Sequence, residues 1–312
     1  MTTSLTPVDL GLPPEPVTAR RKDPPAVHVR VRLDSQLRAL LAHEAGTKSG
    51  VDPEDLHQMR VTIRRLRAAV NADGAGLGDV VSPLQVELKW LGNALGRVRD
   101  IDVQLDRLRA EAAGFDDEER AAVERLLGGL VAERKAARRR MLAALRTKRY
   151  TALLTSLAAA TASAPQTTSD SADRVVDNAV VSVIYRPYRK LFKAVAAMGD
   201  DPVDEQLHAL RIKGKRLRYA AELVGPAGKE PVKQLIKATK AFQEVLGEHQ
   251  DAAVAEETIR RLLQGQDDAA VIFVAGRLVE REHARRLAYR SQWRDRWDAV
   301  AAFAAEFNRK TG

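Results

Sequence analysis

Residues 56–67 read LHQMRVTIRRLR, and residues 207–218 read LHALRIKGKRLR. His57 and His208 lie 151 residues apart, as do Arg60 and Arg211, and Arg67 and Arg218. Further along, LGRVRDIDV at 95–103 matches LGEHQDAAV at 246–254 with the same separation. Two distinct segments that share one offset without a gap mark an internal duplication. The sequence therefore predicts an all-α chain made of two copies of one unit of about four helices. The expected architecture is two four-helix bundles related by a pseudo-twofold axis.

Outward from these segments, apolar residues recur at helical spacing. Leu33, Leu37, Leu40 and Leu41 mark a first helix, and Met59, Ile63, Leu66 and Val70 a second. Leu84, Leu88, Leu91, Leu95, Val98, Ile101 and Leu105 mark a long amphipathic third. A fourth is expected from Asp116 to Ala160, bent near Gly128–Gly129. The expected division is a disordered tail at 1–25, a first bundle at 26–162, a linker at 163–173 and a second bundle at 174–312. In the second copy a helix kinked at Pro187 is followed by one opening at Asp201-Pro202 and closing at Gly225-Pro226. Two long helices then fill 229–264 and 267–309.

With 100° allotted to each residue, Arg60, Arg64 and Arg67 fall within about 80° of His57 on one stripe about 15 Å long. The apolar residues Met59, Ile63, Leu66 and Val70 lie directly beside it. His208, Arg211, Lys215 and Arg218 repeat the stripe. An ordinary solvated face lies opposite the core and mixes both signs of charge. This stripe borders the core and holds no carboxylate, so its side chains point into a groove between helices. Several like charges there are costly without a counter-anion. A long, doubled stripe calls for a polymeric one.

Composition agrees. The 312 residues include no cysteine, which excludes disulfides and cysteine-ligated zinc, and no run has the length of a membrane helix. Lys and Arg number 51 against 42 Asp and Glu, a formal charge of +9. The apolar fraction is 45% with only 4% aromatic, which favours closely packed helices. The N-terminus has no apolar signal core, so a cytoplasmic location is expected. Further candidate cations are Lys89 with Lys240, and Arg38 with Arg189, each pair again 151 residues apart. Lys233 and Lys237 share a face with Lys240, and Arg97 borders the matching face of the first copy. Arg134 and Arg138, and Arg281 and Arg285, lie one turn apart on later helices.

These segments resemble the CHAD domain, a helical domain named for its recurrent histidines. The resemblance is carried by His57 with Arg60, Arg64, Arg65 and Arg67, by Leu95-Gly96 to Asp100, and by the same features at His208, Arg211, Lys215, Arg216, Arg218, Leu246-Gly247 and Asp251. It covers about residues 26–310. It implies a two-bundle fold with a basic central channel, and inorganic polyphosphate as the partner, with granule association in some members. Carried over, the two histidines and their stripes would line that channel. Gly214 departs from the pattern, because the first copy has Ile63 there.

Polyphosphate has charge and no bases, so Arg, Lys and His suffice to bind it. Nucleic acid is disfavoured as a partner, since the few aromatic residues do not interleave with the stripes as stacking platforms do. Enzymatic activity is not expected. The stripes lack metal-binding carboxylates, and no phosphate-cradling GxxxxGK[ST] loop occurs. Gln85-Val86-Glu87-Leu88-Lys89 imitates the ExExK motif of triphosphate-tunnel enzymes, which CHAD domains resemble accessory partners of, but it lacks the first Glu and sits in a helix. Glu54 and Glu205 precede the histidines at Glu-x-x-His spacing, yet the arginine one turn on would repel a metal ion. No metal or cofactor is expected.

Overall fold

The computed structural model describes residues 5–20, 23, 25–71, 78–163, 172–224 and 230–311. Among them all regular structure is helical, with no strand. The helices are α1 (Pro25–Ser49), α2 (Pro53–Val70), α3 (Val81–Glu111), α4 (Asp117–Ala144), α5 (Lys148–Ser163), α6 (Ala172–Ala196), α7 (Asp204–Val224), α8 (Glu230–Leu262), α9 (Ala269–Arg290) and α10 (Trp293–Thr311). Short 3-10 turns occupy Val8–Leu10 and Gly78–Val80. The apolar positions named above are buried along α1, α2 and α3. Most of the Gly-rich stretch before α3, most of the expected linker, and Gly225-Pro226 lie outside the described residues.

Among the described residues each copy carries five α-helices where four were expected. The helix expected over 116–160 is interrupted at 145–147, where Thr147 Oγ1 donates to the Ala144 carbonyl at 2.7 Å and accepts from the Tyr150 amide at 3.2 Å. That one hydroxyl ends α4 and begins α5. Gly128 and Gly129 lie inside α4, and Gly129 faces Leu262 of α8. The last helix divides at Ser291 and Gln292, whose side chains both donate to the Ala288 carbonyl at 2.9 Å. Helix α7 begins at Asp204, two residues after the expected proline, and the Val203 amide is taken by Gln206 Oε1 at 2.9 Å.

The chain divides into two compact units that differ from the two sequence copies. One comprises residues 1–99, 137–183 and 222–227, the other 100–136, 184–221 and 228–312. The divisions fall within α3, α4, α6 and α7 rather than at the expected linker. In the first unit α1 packs along α2 and α5; in the second, α8 packs along α9 and α10. A close approach of α1 to α2 requires glycine at Gly46. A Cβ there would overlap the Asp55 carboxylate, which also accepts from His43 Nδ1 at 2.8 Å.

The described part of the N-terminal segment is ordered against α1, contrary to the expected tail. Leu12 is buried, and the Val17 amide donates to Asp34 at 3.0 Å. Arg38 holds Asp34 at 2.9 Å and also donates to the carbonyls of Pro13, Pro14 and Glu15. One guanidinium thereby satisfies both a buried carboxylate and three carbonyls of the N-terminal strap.

Gly214 has a packing explanation. In the first copy Ile63 of α2 lies against Gly92 of α3, 3.4 Å from a Cβ placed there. In the second, a Cβ placed on Gly214 of α7 would lie 3.4 Å from the fully buried Phe242 and 3.6 Å from the neighbouring Gln243 of α8. Phe242 and Gln243 stand where the first copy has Leu91 and Gly92. The bulk has moved from one helix to its neighbour, and the seam stays filled. Gly214→Ile should therefore overpack the core and cost about 1–3 kcal/mol. In a urea-unfolding double-mutant cycle, G214I/F242L should be less destabilised than the sum of the two single variants. Strict additivity would show that these positions do not share space.

Candidate anion-binding site

In the first unit, α2 presents His57, Arg60 and Arg64 at its seam with α3. Met59 and Ile63 between them and Leu66 just beyond are buried, so the cations sit at the border of the core. Arg60 Nη1 donates to the Gly96 carbonyl at 2.8 Å, which holds its guanidinium against α3. Arg99, one turn beyond Gly96, faces the same cluster. Burial holds the His57 imidazole below its ordinary value of 6.5; Glu54 opposes this, while Arg99, Arg64 and Arg60 add to it. The Nε of Arg99 is buried with no hydrogen-bond acceptor among the described residues. Three guanidinium groups and an imidazole thus share one site.

The second unit repeats the plan with different electrostatics. Arg211 of α7 lies against Gly247 of α8, its Nε 3.7 Å from a Cβ placed there, and that Nε is also buried without an acceptor. His208 Nδ1 pairs with Gln250 Oε1 at 2.8 Å. The stripe on α7 holds no carboxylate, as the sequence shows, but α8 brings one against it. Burial pushes the half-buried Asp251 carboxyl up, and Arg211, Arg107 and Lys215 pull it back. Arg107 is held mainly by the fully buried Glu282, at 2.8 Å, and reaches Glu248 at 3.2 Å.

The remaining cations expected from the sequence divide into two groups. Arg67, Lys89, Arg97, Arg189, Lys233, Lys237 and Lys240 are exposed; Lys233 and Lys240 are loosely paired with Glu230 and Glu244, at 3.6 and 3.8 Å. The half-buried Arg218 stands beside the Tyr219 ring, 5.1 Å from its centroid. The other group is structural. Arg38 clamps the N-terminal strap. Arg134 is ion-paired with the buried Asp102. Arg138 donates to the Lys48 and Ser49 carbonyls at 2.9 and 2.8 Å, satisfying the open end of α1. Arg281 and Arg285 bind the Glu111 carbonyl and carboxylate, and Arg281 also covers the Phe115 ring. These five belong to the scaffold, because each already has its acceptor.

Three residues that shape the half-sites come from α3 and α8. Arg99 and Gln250 were not expected from the sequence, although both lie in the matched segments, one turn after the paired glycines. Asp251 was expected only through the family resemblance. A further unexpected feature is His249, which is 1% exposed and stands where the first copy has Val98. Its Nε2 lies 3.3 Å from Asp204 Oδ1, without the alignment of a hydrogen bond. Asp204 is held by Arg286 and Arg290 at 3.0 and 3.1 Å. Burial lowers the His249 value, opposed by Asp204 and reinforced by Arg290 and Arg286. Among the described residues no group of three or more His, Asp or Glu is placed to hold a metal ion.

The arrangement is that of an all-helical protein with cationic clusters at its helix seams. The CHAD domain model matches residues 31–260, and the chain belongs to the CHAD domain family. Uncharacterized proteins from two strains of Mycobacterium tuberculosis are each 33% identical over 270 residues, covering 83% of this chain and 50% of their own length. The chain thus spans about half the length of the curated relatives it matches. The crystal structure of the CHAD domain from the plant Ricinus communis superposes with a TM-score of 0.68 at 30% identity, covering 92% of this chain and 94% of that one. PptA from Streptomyces chartreusis shares the fold at a TM-score of 0.65 and 19% identity, covering 88% of this chain and 99% of its own. Among the described residues no helix is long and apolar enough to cross a membrane.

The two depressed histidines give stability a defined pH dependence. On unfolding each returns to its ordinary value near 6.5, so in acid the unfolded chain binds more protons than the folded one. Their contribution is intact above that value and is lost as pH falls through it towards the folded-state values. Urea unfolding at pH 7.5 and 5.5 should show lower stability at pH 5.5. His249→Val, which installs the residue of the first copy, should shrink that loss, and an unchanged difference would remove His249 from this account.

Proposed function

We propose that this chain binds inorganic polyphosphate through its two cationic half-sites and acts as a binding module without catalytic activity of its own. The observation that carries the reading is the presence at both seams of buried guanidinium Nε donors, those of Arg99 and Arg211 among them, that find no acceptor among the described residues. A buried donor without a partner costs about 1–3 kcal/mol, and phosphate oxygens are acceptors of the matching charge. Membership of the CHAD family supports the same ligand. Sparse aromatic residues at these seams favour a phosphate polymer over a nucleic acid. The exposed lysines and arginines, Lys89, Arg97, Lys237 and Arg189 among them, add a long-range field that draws such a polymer in.

The basic central channel is the finer part of the proposal. A length series tests it: affinity should climb steeply once a polymer is long enough to engage both half-sites. Cytoplasmic residence at polyphosphate granules is likewise proposed, and imaging a tagged chain in polyphosphate-storing cells examines it.

Titration with long-chain polyphosphate at two salt concentrations should show affinity falling steeply with salt, as released counterions require. Arg60→Glu combined with Arg211→Glu should abolish binding while leaving the helical circular dichroism intact. Binding undiminished in that variant would refute the reading, as would equal competition by single-stranded RNA at matched phosphate concentration. Release of orthophosphate from the polymer with Mg²⁺ or Mn²⁺ would overturn the absence of catalysis.

A further inference from the structure

The half-site seams are poor in aromatic rings, but the C-terminal half of α6 is not. Tyr185, Tyr188 and Phe192 fall within about two turns of one another in a chain that is only 4% aromatic. Helical spacing sends Ile184, Leu191 and Val195 into the core, where all three are buried. Tyr185 and Phe192 are left 40% and 47% exposed. Phe192 is backed by a fixed stack. Its ring lies 6.1 Å from Tyr188 and 6.2 Å from Trp297 of α10, Tyr188 is nearly parallel to Trp297, and Trp297 rests on the buried Phe242 of α8 at 6.0 Å.

Exposed cations stand beside these rings. Arg189 lies one turn from each of the two exposed rings and within about 60° of both around the helix, and Lys193 lies about 40° further on. Arg189, Lys190 and Lys193 are all exposed. Residues 178–199 contain no Asp or Glu, and among the described residues no carboxylate pairs with Arg189, Lys190 or Lys193. On α9, by contrast, Arg285, Arg286 and Arg290 are each ion-paired.

We propose that this face of α6 is a docking surface for single-stranded nucleic acid, bound through its backbone charge and the flat faces of its bases. Such a strand needs stacking rings and phosphate-binding cations side by side, and tolerates any base because every base has a π-face. Polyphosphate has no rings to stack, so Tyr185 and Phe192 would be idle against it. A lipid surface needs an aliphatic face to bury, and on α6 Ile184, Leu191 and Val195 already serve the core. The two exposed rings are about 10 Å apart along the axis, so they take separate bases of one strand, with Arg189 between them for its phosphates. The surface uses neither histidine stripe, so it stands independently of the polyphosphate reading.

Fluorescence anisotropy of labelled oligo(dT) and oligo(rU) with the full chain tests it. Tyr185→Ala and Phe192→Ala should each weaken binding about tenfold, as expected for one lost base stack. Tyr185→Phe should retain it. Phe192→Leu, which keeps apolar bulk against Trp297 and removes only the π-face, should lose as much as Phe192→Ala, so the loss does not come from misfolding. Arg189→Ala combined with Lys193→Ala should weaken binding and flatten its salt dependence. Long-chain polyphosphate should bind the ring variants as it binds the unaltered chain. Failure of the unaltered chain to bind either oligonucleotide would overturn the proposal, as would binding that Tyr185→Ala and Phe192→Leu leave unchanged. Ring-dependent binding of phosphatidylserine vesicles without ring-dependent binding of oligonucleotides would assign the face to a membrane instead. Ring-dependent oligonucleotide binding in a chain that binds no polyphosphate would uphold this proposal while the polyphosphate reading falls.

Discussion

The interaction on which the first half-site depends is the hydrogen bond from Arg60 to the Gly96 carbonyl. A carbonyl in the middle of a helix already serves its own helix, but its oxygen has a second lone pair. By using it, α3 fixes a guanidinium at the edge of the core. Gly247 lies against Arg211 in the corresponding place, so the half-sites are built from the same backbone contact.

Elsewhere in a chain with 51 Lys and Arg residues, several arginines are held mainly by carboxylates. Arg107 is clasped by the fully buried Glu282, Arg134 by Asp102, and Arg38 by Asp34 and three carbonyls. In each case the charge is answered within the protein, and the arginine acts as a strut. Surface pairs such as Arg109 with Glu124 contribute little by comparison, since solvent screens them. Around His57, burial, the carboxylate of Glu54 and three guanidinium groups act together on the imidazole. The result is a depressed proton affinity, to which burial contributes most and three arginines add.

Much of this was legible in the sequence, and the reasons for the failures are physical. Helical periodicity and the 151-residue offset located α1, α2, α3 and α7, and put His57, Arg60 and Arg64 on one stripe. They could not reveal that Thr147 ends one helix and begins another, because a capping hydroxyl looks like any other polar residue in a periodic stretch. Gly128 and Gly129 lie inside α4, and the helix ends further on, at 145–147. Spacing along one helix also says nothing of the facing helix. Arg99, Gln250 and Asp251 matter because α3 and α8 bring them across. Arg38, Arg134, Arg138, Arg281 and Arg285 had the right charge and spacing, but their acceptors are distant in sequence or are backbone carbonyls, which no composition reveals.

The two copies have diverged under two different constraints. Where volume is concerned, change on one helix is answered on its neighbour: Ile63 with Leu91 and Gly92 becomes Gly214 with Phe242 and Gln243, and the seam remains filled. Close packing enforces this, because a void or a clash costs several kcal/mol wherever it falls. Charge behaves otherwise. Arg97 and Arg99 become Glu248 and Gln250, while the stripes they face stay cationic. Solvent and a mobile counter-anion can balance charge at a groove, so folding does not require the copies to match. Core positions therefore preserve the duplication as geometry, while the groove positions were free to diverge in charge. Folding sets the shape of both half-sites alike; the difference between them has to be read from the residues on α3 and α8 that face the stripes.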